Sequence, residues 1–517
     1  MAPLDWIVVT LYIAGMIGLS LWLGARQKAQ SDYYLAGNRL GSWTIAGSMI
    51  ATQCSAISLI GAPAFIAIKQ GGGLKWLQYE LAVPLAAIGI LYLVGAYKQP
   101  GVVTIFSAVE KRLGAPTRKT LSLLFLSGRG LATGVALYAM SVVVAVCLET
   151  ELLTAILIVG GLSMLYTTIG GIEADIYSDI IQLIILWLSA MACGAYLLTL
   201  IESPSERLTN FDPSRLQVLD TSGFGLTSDS SYTLWPMLIG GFFLYLAYYG
   251  CDQSQAQRLL AARDMRTARK AVFLNGCLRF PLVLTYCAFG LLLGLFYQES
   301  SWLQEKMVGT NPDFIAPYFI IEYMPTGLKG VIVAGILAAA MSSLDSNINS
   351  MSAALENDFL KERRIPLPGF RNPLQRARSF TLVFGVLCCL LAILFSGSQA
   401  TVLVLVNAVS SAFNGPILAC FVFLLLPRGG IRPRHSVLSL CAGIASNVAL
   451  WLFLPQVSWL WWNLSGFLVS IAGLVALSQK GTHHKQLQRP SPRTTISLLT
   501  CFSAIAIALI VLQLLLR

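Results

Sequence analysis

The chain has 517 residues, 56% of them apolar and only 11% charged, with a mean hydropathy of +0.71. A soluble domain carries about 25% charged residues, so a water-soluble enzyme, a disordered tail and a nucleic-acid-binding domain are excluded. The net charge of +11 does not mark a polyanion partner. Its basic residues fall in short clusters between long apolar runs and not on one soluble face.

A bilayer-spanning helix needs about 20 apolar residues. Fourteen candidate segments follow one another, near 4–24, 42–69, 75–98, 118–147, 151–171, 175–200, 233–252, 270–297, 328–355, 376–395, 400–427, 434–454, 458–478 and 494–516. The fold class they predict is an all-α polytopic membrane protein of about 14 transmembrane helices, with residues 1–517 forming a single membrane domain. Residues 4–24 lack the basic n-region and cleavage site of a signal peptide and read as a retained first span. With the N-terminus outside, the cytoplasmic loops collect 26 of the 35 Lys and Arg, as expected for basic residues near a membrane. The expected location is a cell membrane (plasma or inner), crossed many times, with both termini outside. All eleven cysteines lie in apolar stretches without a CxxC pair and read as small hydrophobes. The three histidines, His435, His483 and His484, lie in polar loops, which excludes a histidine cage inside the membrane.

Within the second segment, Ile50-Ala51-Thr52-Gln53-Cys54-Ser55-Ala56-Ile57-Ser58 is polar for mid-membrane and runs into Gly61-Ala62-Pro63. Unwound backbone survives at that depth only where it lines a cavity or is buried in protein. Its freed carbonyls can then hold a cation; a Pro-kinked structural helix is the alternative. In the fourth segment Arg129 has no other charge within nine residues on either side. It needs a partner or a wet cavity, and its planar fork suits a carboxylate. A snorkelling or structurally paired arginine is the other reading. At 170–182 an acidic turn places Asp179 in the first turns of the next helix, which alone is ordinary capping. Tyr248-Tyr249-Gly250-Cys251-Asp252-Gln253 leads into a basic stretch and equally suits an interfacial aromatic belt. In the ninth segment Ser342, Asp345 and Ser346 share one helix face, with Ser343 beside them. Hydroxyls and free carbonyls suit a hard cation. Serines also pack helices together, but a carboxylate in the membrane argues for function.

Three ordered motifs, GGIEADIYSDIIQ at 170–182, DQSQAQRLLAARD at 252–264 and AAAMSSLDSNINS at 338–350, resemble the sodium:solute symporter family. The likeness runs from the first span to at least residue 427. It implies a five-plus-five inverted-repeat (LeuT-like) core over 42–427, an extra N-terminal helix at 4–24 and three extra C-terminal helices at 434–516. It also implies a Na⁺ site on the backbone oxygens of Ala51, Cys54 and Ala339 and the hydroxyls of Ser342 and Ser343. In some members a second Na⁺ sits near a carboxylate, and the matching residues are Asp179, Ser342, Asp345 and Ser346. Asp345 stands where the sialic-acid transporters that use that site have a serine, so one or two Na⁺ per cycle stay open.

For the solute the resemblance implies Gln53, Ser55, Ser58, Gln78, Glu80, Arg129, Tyr248 and Asn407. Arg129 corresponds to an arginine that holds the carboxylate of sialic acid, and Glu80 to a glutamate that contacts sugar hydroxyls. Tyr248 matches an inner-gate tyrosine that stacks below a bound ring. The expected function is Na⁺-coupled symport, not an enzymatic reaction, of a carboxylate-bearing sugar such as sialic acid, or of another sugar acid or monocarboxylate. A neutral sugar or polyol symporter and a transporter-like sensor are the alternatives. The expected partners are the solute, Na⁺ and the lipid bilayer, with no nucleic acid and no obligatory protein partner.

Overall fold

A computed structural model describes residues 1–53, 56–360, 372–395, 401–479 and 489–516, with the side chains of 56, 57 and 401–410 outside the description. The described residues are helical and contain no strand, only an isolated bridge between Leu40 and Ala262. The long helices are α1 (Pro3–Gly24), α2 (Ser42–Gln53), α3 (Ala56–Ala67), α4 (Ala82–Tyr97), α5 (Ala115–Leu148), α6 (Leu152–Leu200) and α7 (Gly241–Cys251). They continue with α8 (Gln253–Leu260), α9 (Met265–Glu299), α10 (Leu328–Leu355), α11 (Pro373–Phe395), α12 (Thr401–Phe423), α13 (Pro433–Phe453), α14 (Leu460–Leu477) and α15 (Pro492–Leu515).

Among the described residues, ten helices are long and apolar enough to cross a membrane alone, or eleven if the bent pair α2–α3 counts as one span. The fourteen expected segments also include the two halves of α6, the shorter helical stretch Pro236–Cys251, and α12, of which Ser411–Phe423 is the part whose side chains are described. The second segment departs from one straight helix. The axes of 42–53 and 58–67 meet at 53°, so the polar run predicted to interrupt the span coincides with a bend.

A continuous α6 hides a second discontinuity. Gly171 adopts φ 57° and ψ −162° inside it, a conformation essentially confined to glycine. A Cβ there would lie 2.7 Å from the carbonyl oxygen and ring of Tyr33. The acidic turn read at 170–175 is thus a kink that re-aims the chain, and it swings Asp175 and Asp179 into the interior.

Burial ranks the helices. In the most apolar stretch of 328–360, 89% of residues are buried inside the protein, against 17% for α15. The polar ninth segment therefore forms the centre of the bundle, packed against α6, α5, α1 and α11. The uniformly apolar α15 is peripheral and touches α4 and α9. Asp5 ties α1 to this centre by accepting the backbone N–H groups of Gly327 (2.7 Å) and Gly330 (2.9 Å). Buried cysteines fit the reading as small hydrophobes: ten of the described cysteines are free thiols.

Candidate ion and solute sites

Central burial gives the serines of α10 two neighbours, the bent α2–α3 pair and the second half of α6. Ser343 Oγ reaches the carbonyl oxygen of Thr52 at 3.3 Å, on the last turn of α2. Ala51 and Ala339 are buried on the same two helices, while Cys54 lies outside the described residues. Hydroxyl and carbonyl oxygens thus meet where the helix bends, a donor set that suits a hard monovalent cation. No group of His, Cys, Asp and Glu fit to hold a metal occurs among the described residues.

Asp179, buried on α6, anchors the adjoining cluster. Its Oδ1 accepts the hydroxyl of Ser342. Its Oδ2 accepts from Ser48 Oγ at 2.5 Å, Thr52 Oγ1 at 3.4 Å and Arg258 Nη2 at 2.9 Å. Arg258 on α8 also donates through Nε to Ser48 Oγ at 2.5 Å, through Nη1 to the Ser254 carbonyl and through Nη2 to Ser346 Oγ. Neither side chain of the Arg258–Asp179 pair is exposed. Of the residues expected around a second Na⁺, Asp179, Ser342 and Ser346 therefore come together, but with a guanidinium among them. Asp345 accepts the Ser346 N–H at 3.2 Å through Oδ1, and its Oδ2 has no partner among the described residues.

Arg258 was visible in the sequence only as one of a run of basic residues. What sets it apart is its helix: α8 begins behind the cap of Asp252, whose Oδ1 accepts the Ser254 N–H at 2.8 Å. The whole of α8 is buried, Arg258 with it, while Arg263 and Arg266, beyond the helix end, stay exposed.

A second cluster gathers the solute-contact candidates. Glu80 Oε1 accepts from Arg279 Nη2 at 2.8 Å, and Nη1 of the same arginine donates to Gln53 Oε1 at 2.8 Å. Arg279 also reaches Tyr245 Oη at 2.6 Å, and its guanidinium lies 4.4 Å from the ring centre of that tyrosine. Tyr79 packs on Tyr245 with ring centres 4.8 Å apart. Arg279 sits in α9 amid apolar residues, and sequence reasoning passed it over because it follows the basic stretch 258–270 closely.

Other candidates lie elsewhere. Arg129, read as a ligand for the solute's carboxylate, is paired with Asp252, 123 positions away, and lies 5.6 Å from the ring centre of Tyr248. The isolation of Arg129 in sequence is therefore not isolation in space. Tyr248 Oη accepts from Gln255 Nε2 at 3.1 Å, which joins the tyrosine to α8. Gln78 is fully buried and bound to the backbone of another segment: its Nε2 donates to the Tyr232 carbonyl at 2.8 Å and its Oε1 accepts the Asp220 N–H at 3.0 Å. Its role here is to fasten the 201–232 loop. Ser58 is half-buried in the first turn of α3. Ser55 and the side chain of Asn407 lie outside the described residues.

Known proteins resemble this chain in sequence and in fold. The human sodium/iodide cotransporter is 25% identical over 452 residues, covering 86% of this chain and 68% of its own length. The sodium/sialic acid symporter NanT of Aliivibrio fischeri is 23% identical, with 87% of each chain covered. Among solved structures, a substrate-bound, outward-open Na⁺-coupled sialic acid symporter superposes with a TM-score of 0.81 at 21% identity, over 91% of this chain and 97% of that one. The transporter MhsT in complex with L-phenylalanine gives a TM-score of 0.53 at 14% identity, over 83% and 97%. The fold is the LeuT-like helical architecture expected from the sequence. Residues 33–428 match the model of the sodium:solute symporter family, and the chain, with oxygen donors gathered at a bent helix, belongs to that family of Na⁺-coupled solute symporters.

Proposed function

We propose that the protein takes up a small solute carrying both a carboxylate and several hydroxyls, sialic acid or another sugar acid, down the Na⁺ gradient by alternating access. The observation that carries this reading is the Arg129–Asp252 pair. At 19% and 17% side-chain exposure it is far more accessible than Arg279–Glu80, at 6% and 1%. A solute carboxylate can therefore exchange with Asp252 for the fork of Arg129, a geometry arginine holds bidentately. Asp252 also caps α8, so that exchange couples solute arrival to the helix that bears Arg258. Relatives that are sialic-acid and monocarboxylate transporters support the same solute class.

Na⁺ is held by the backbone oxygens of Ala51, Cys54 and Ala339 and the hydroxyls of Ser342 and Ser343. The proton of Ser342 goes to Asp179, which leaves its lone pairs for a cation. Binding there fastens the α2–α3 bend to α10 and so organises Gln53 beside Glu80 and Arg279. Solute and ion each raise the other's affinity, as linkage requires. The basic loops face the cytoplasm of a cell membrane, with both termini outside and 42–427 as the transporting core.

Uptake into proteoliposomes should require inward Na⁺, and Ser342→Ala with Ser343→Ala should weaken the apparent Na⁺ affinity at least tenfold, about 1.4 kcal/mol. Uptake that persists with choline in place of Na⁺ sinks the coupling. For the solute, thermal-shift screening of sugars, sugar acids, monocarboxylates and amino acids with and without Na⁺ identifies the class, and Arg129→Ala should abolish the shift from the best carboxylate. An undiminished shift favours the second reading, a neutral sugar or polyol. That reading draws on the closure of both arginines into neutral pairs and on the tyrosines around Arg279.

A further inference from the structure

The cluster around Asp179 has the composition of a cation site but is already filled from within the chain. A carboxylate offers about four acceptor positions, and Asp179 receives three close donors, Ser342, Ser48 and Arg258, with Thr52 Oγ1, which donates to the Ser48 carbonyl at 2.9 Å, lying 3.4 Å away. Ser346 Oγ, another oxygen expected around a second Na⁺, accepts from the same Nη2 of Arg258. The buried guanidinium carries the unit positive charge that an ion would bring. A Na⁺ wedged beside it would face strong repulsion, because an interior of low dielectric screens charge poorly. Three buried oxygens nearby have no partner among the described residues, one on Asp345 and both on Asp175, one turn before Asp179 on α6; it is the charge of Arg258, not a shortage of oxygens, that keeps a second cation out.

We propose that Arg258 is a tethered replacement for the second Na⁺, so that this protein binds and couples one Na⁺ per cycle. The replacement is carried by α8, which Asp252 caps and which runs on from α7. Its cation therefore cannot leave into the cytoplasm as a free ion does. It enters or quits the Asp179 cluster only as α8 moves against α2, α6 and α10. Opening toward the basic-loop side then separates a buried ion pair without consuming a gradient ion, and the pair re-forms when the gate closes. This inference rests on the Na⁺ site at Ser342 and Ser343 proposed above.

The test is equilibrium binding of ²²Na⁺ to the purified full-length protein, which needs no knowledge of the solute. Wild type should bind one Na⁺ per chain, and Ser343→Ala should lose it at concentrations that saturate wild type. Arg258→Ala, which vacates the cluster and leaves Asp179, Asp345 and Ser346 to an ion, should bind two, whereas Arg258→Lys should stay at one. Two Na⁺ in wild type overturn the tethered cation and leave the first Na⁺ site standing. A single Na⁺ that survives Ser343→Ala places the ion at the acidic cluster and overturns both. If Arg258→Ala does not fold, the wild-type and Ser343→Ala stoichiometries still decide; if it folds and binds one Na⁺, the replacement is refuted.

Discussion

Two of the buried arginine–carboxylate pairs of this protein, Asp179–Arg258 and Glu80–Arg279, differ in what they leave unspent. Asp179 and Arg258 are sealed, joining α2, α6, α8 and α10, and both oxygens of the acid are engaged. Glu80 and Arg279 are nearly as buried, yet Glu80 Oε2 has no partner among the described residues. A hydrogen-bonding group left unmet in the interior costs about 1–3 kcal/mol, so it persists where a ligand can meet it. The saturated pair therefore behaves as a structural latch between helices, and the unsaturated one keeps an acceptor that, on the function proposed above, a solute hydroxyl would meet.

The largest effects should come from removing one partner. Taking one member from a buried ion pair typically destabilises by about 3–5 kcal/mol, because a charge is left alone in the interior. Asp179→Ala strands Arg258 and also removes the acceptor for Ser48 and Ser342. Glu80→Ala leaves Arg279 with Gln53 Oε1, Tyr245 and Tyr249. Thermal unfolding in detergent should thus drop more for Asp179→Ala than for Glu80→Ala. A saturating solute should raise the unfolding temperature of wild type and of Asp179→Ala but not of Glu80→Ala. Equal destabilisation by the two variants would erase the distinction drawn here.

Much of this organisation was legible from composition and patterning. Long apolar runs gave the helical class, and the crowding of Ser342, Ser343, Asp345 and Ser346 in one of them marked the centre. Gln53 and Glu80 were singled out singly, but the residue that joins them, Arg279, was not. The misses share one cause. Periodicity reports which face of a helix a residue occupies, whereas pairing across 123 positions for Arg129–Asp252, or 79 for Arg258–Asp179, depends on how whole helices pack, and for Asp179 on the kink at Gly171. Arg258 was hidden for the opposite reason: basic neighbours made it look like one more charge at the membrane surface. Gln78, named through the family resemblance, bonds the backbone at Asp220 and Tyr232, a pairing that sequence spacing does not show.

A smaller perturbation separates the two clusters through the backbone. Gly171→Ala asks an L-residue to take φ 57° and ψ −162° and drives a Cβ to 2.7 Å from Tyr33. Strain of this kind costs about 1–3 kcal/mol, relieved only by shifting the half of α6 that carries Asp179. Apparent Na⁺ affinity should weaken severalfold while solute affinity at saturating Na⁺ stays near wild type, since Glu80 and Arg279 lie on other elements. A variant that loses solute affinity first would show that the clusters are not separable in this way.

The smallest expected effect touches the latch from its far end. Lys98, just beyond α4, donates from Nζ to the carbonyls of Leu260 (3.0 Å) and Ala262 (2.7 Å), where α8 ends. Burial pushes the Lys98 ammonium down to about 8 from an ordinary value of 10.5, with Asp264 opposing the shift. Between those two values the unfolded chain holds a proton that the folded protein has released, so stability rises with pH across that window. Below about pH 8 both states are protonated and the penalty of the buried charge is constant. Melting temperature measured from pH 7.5 to 9.5 should therefore contain a small upward component that Lys98→Met removes. The neutral amine still donates to the carbonyls at the end of α8, so the Arg258 latch should hold across the same range and Na⁺ stoichiometry should not change with it. A stoichiometry that changes across this range while Lys98→Met keeps it fixed would tie the latch to the charge of Lys98 and not to the ion pair at Asp179.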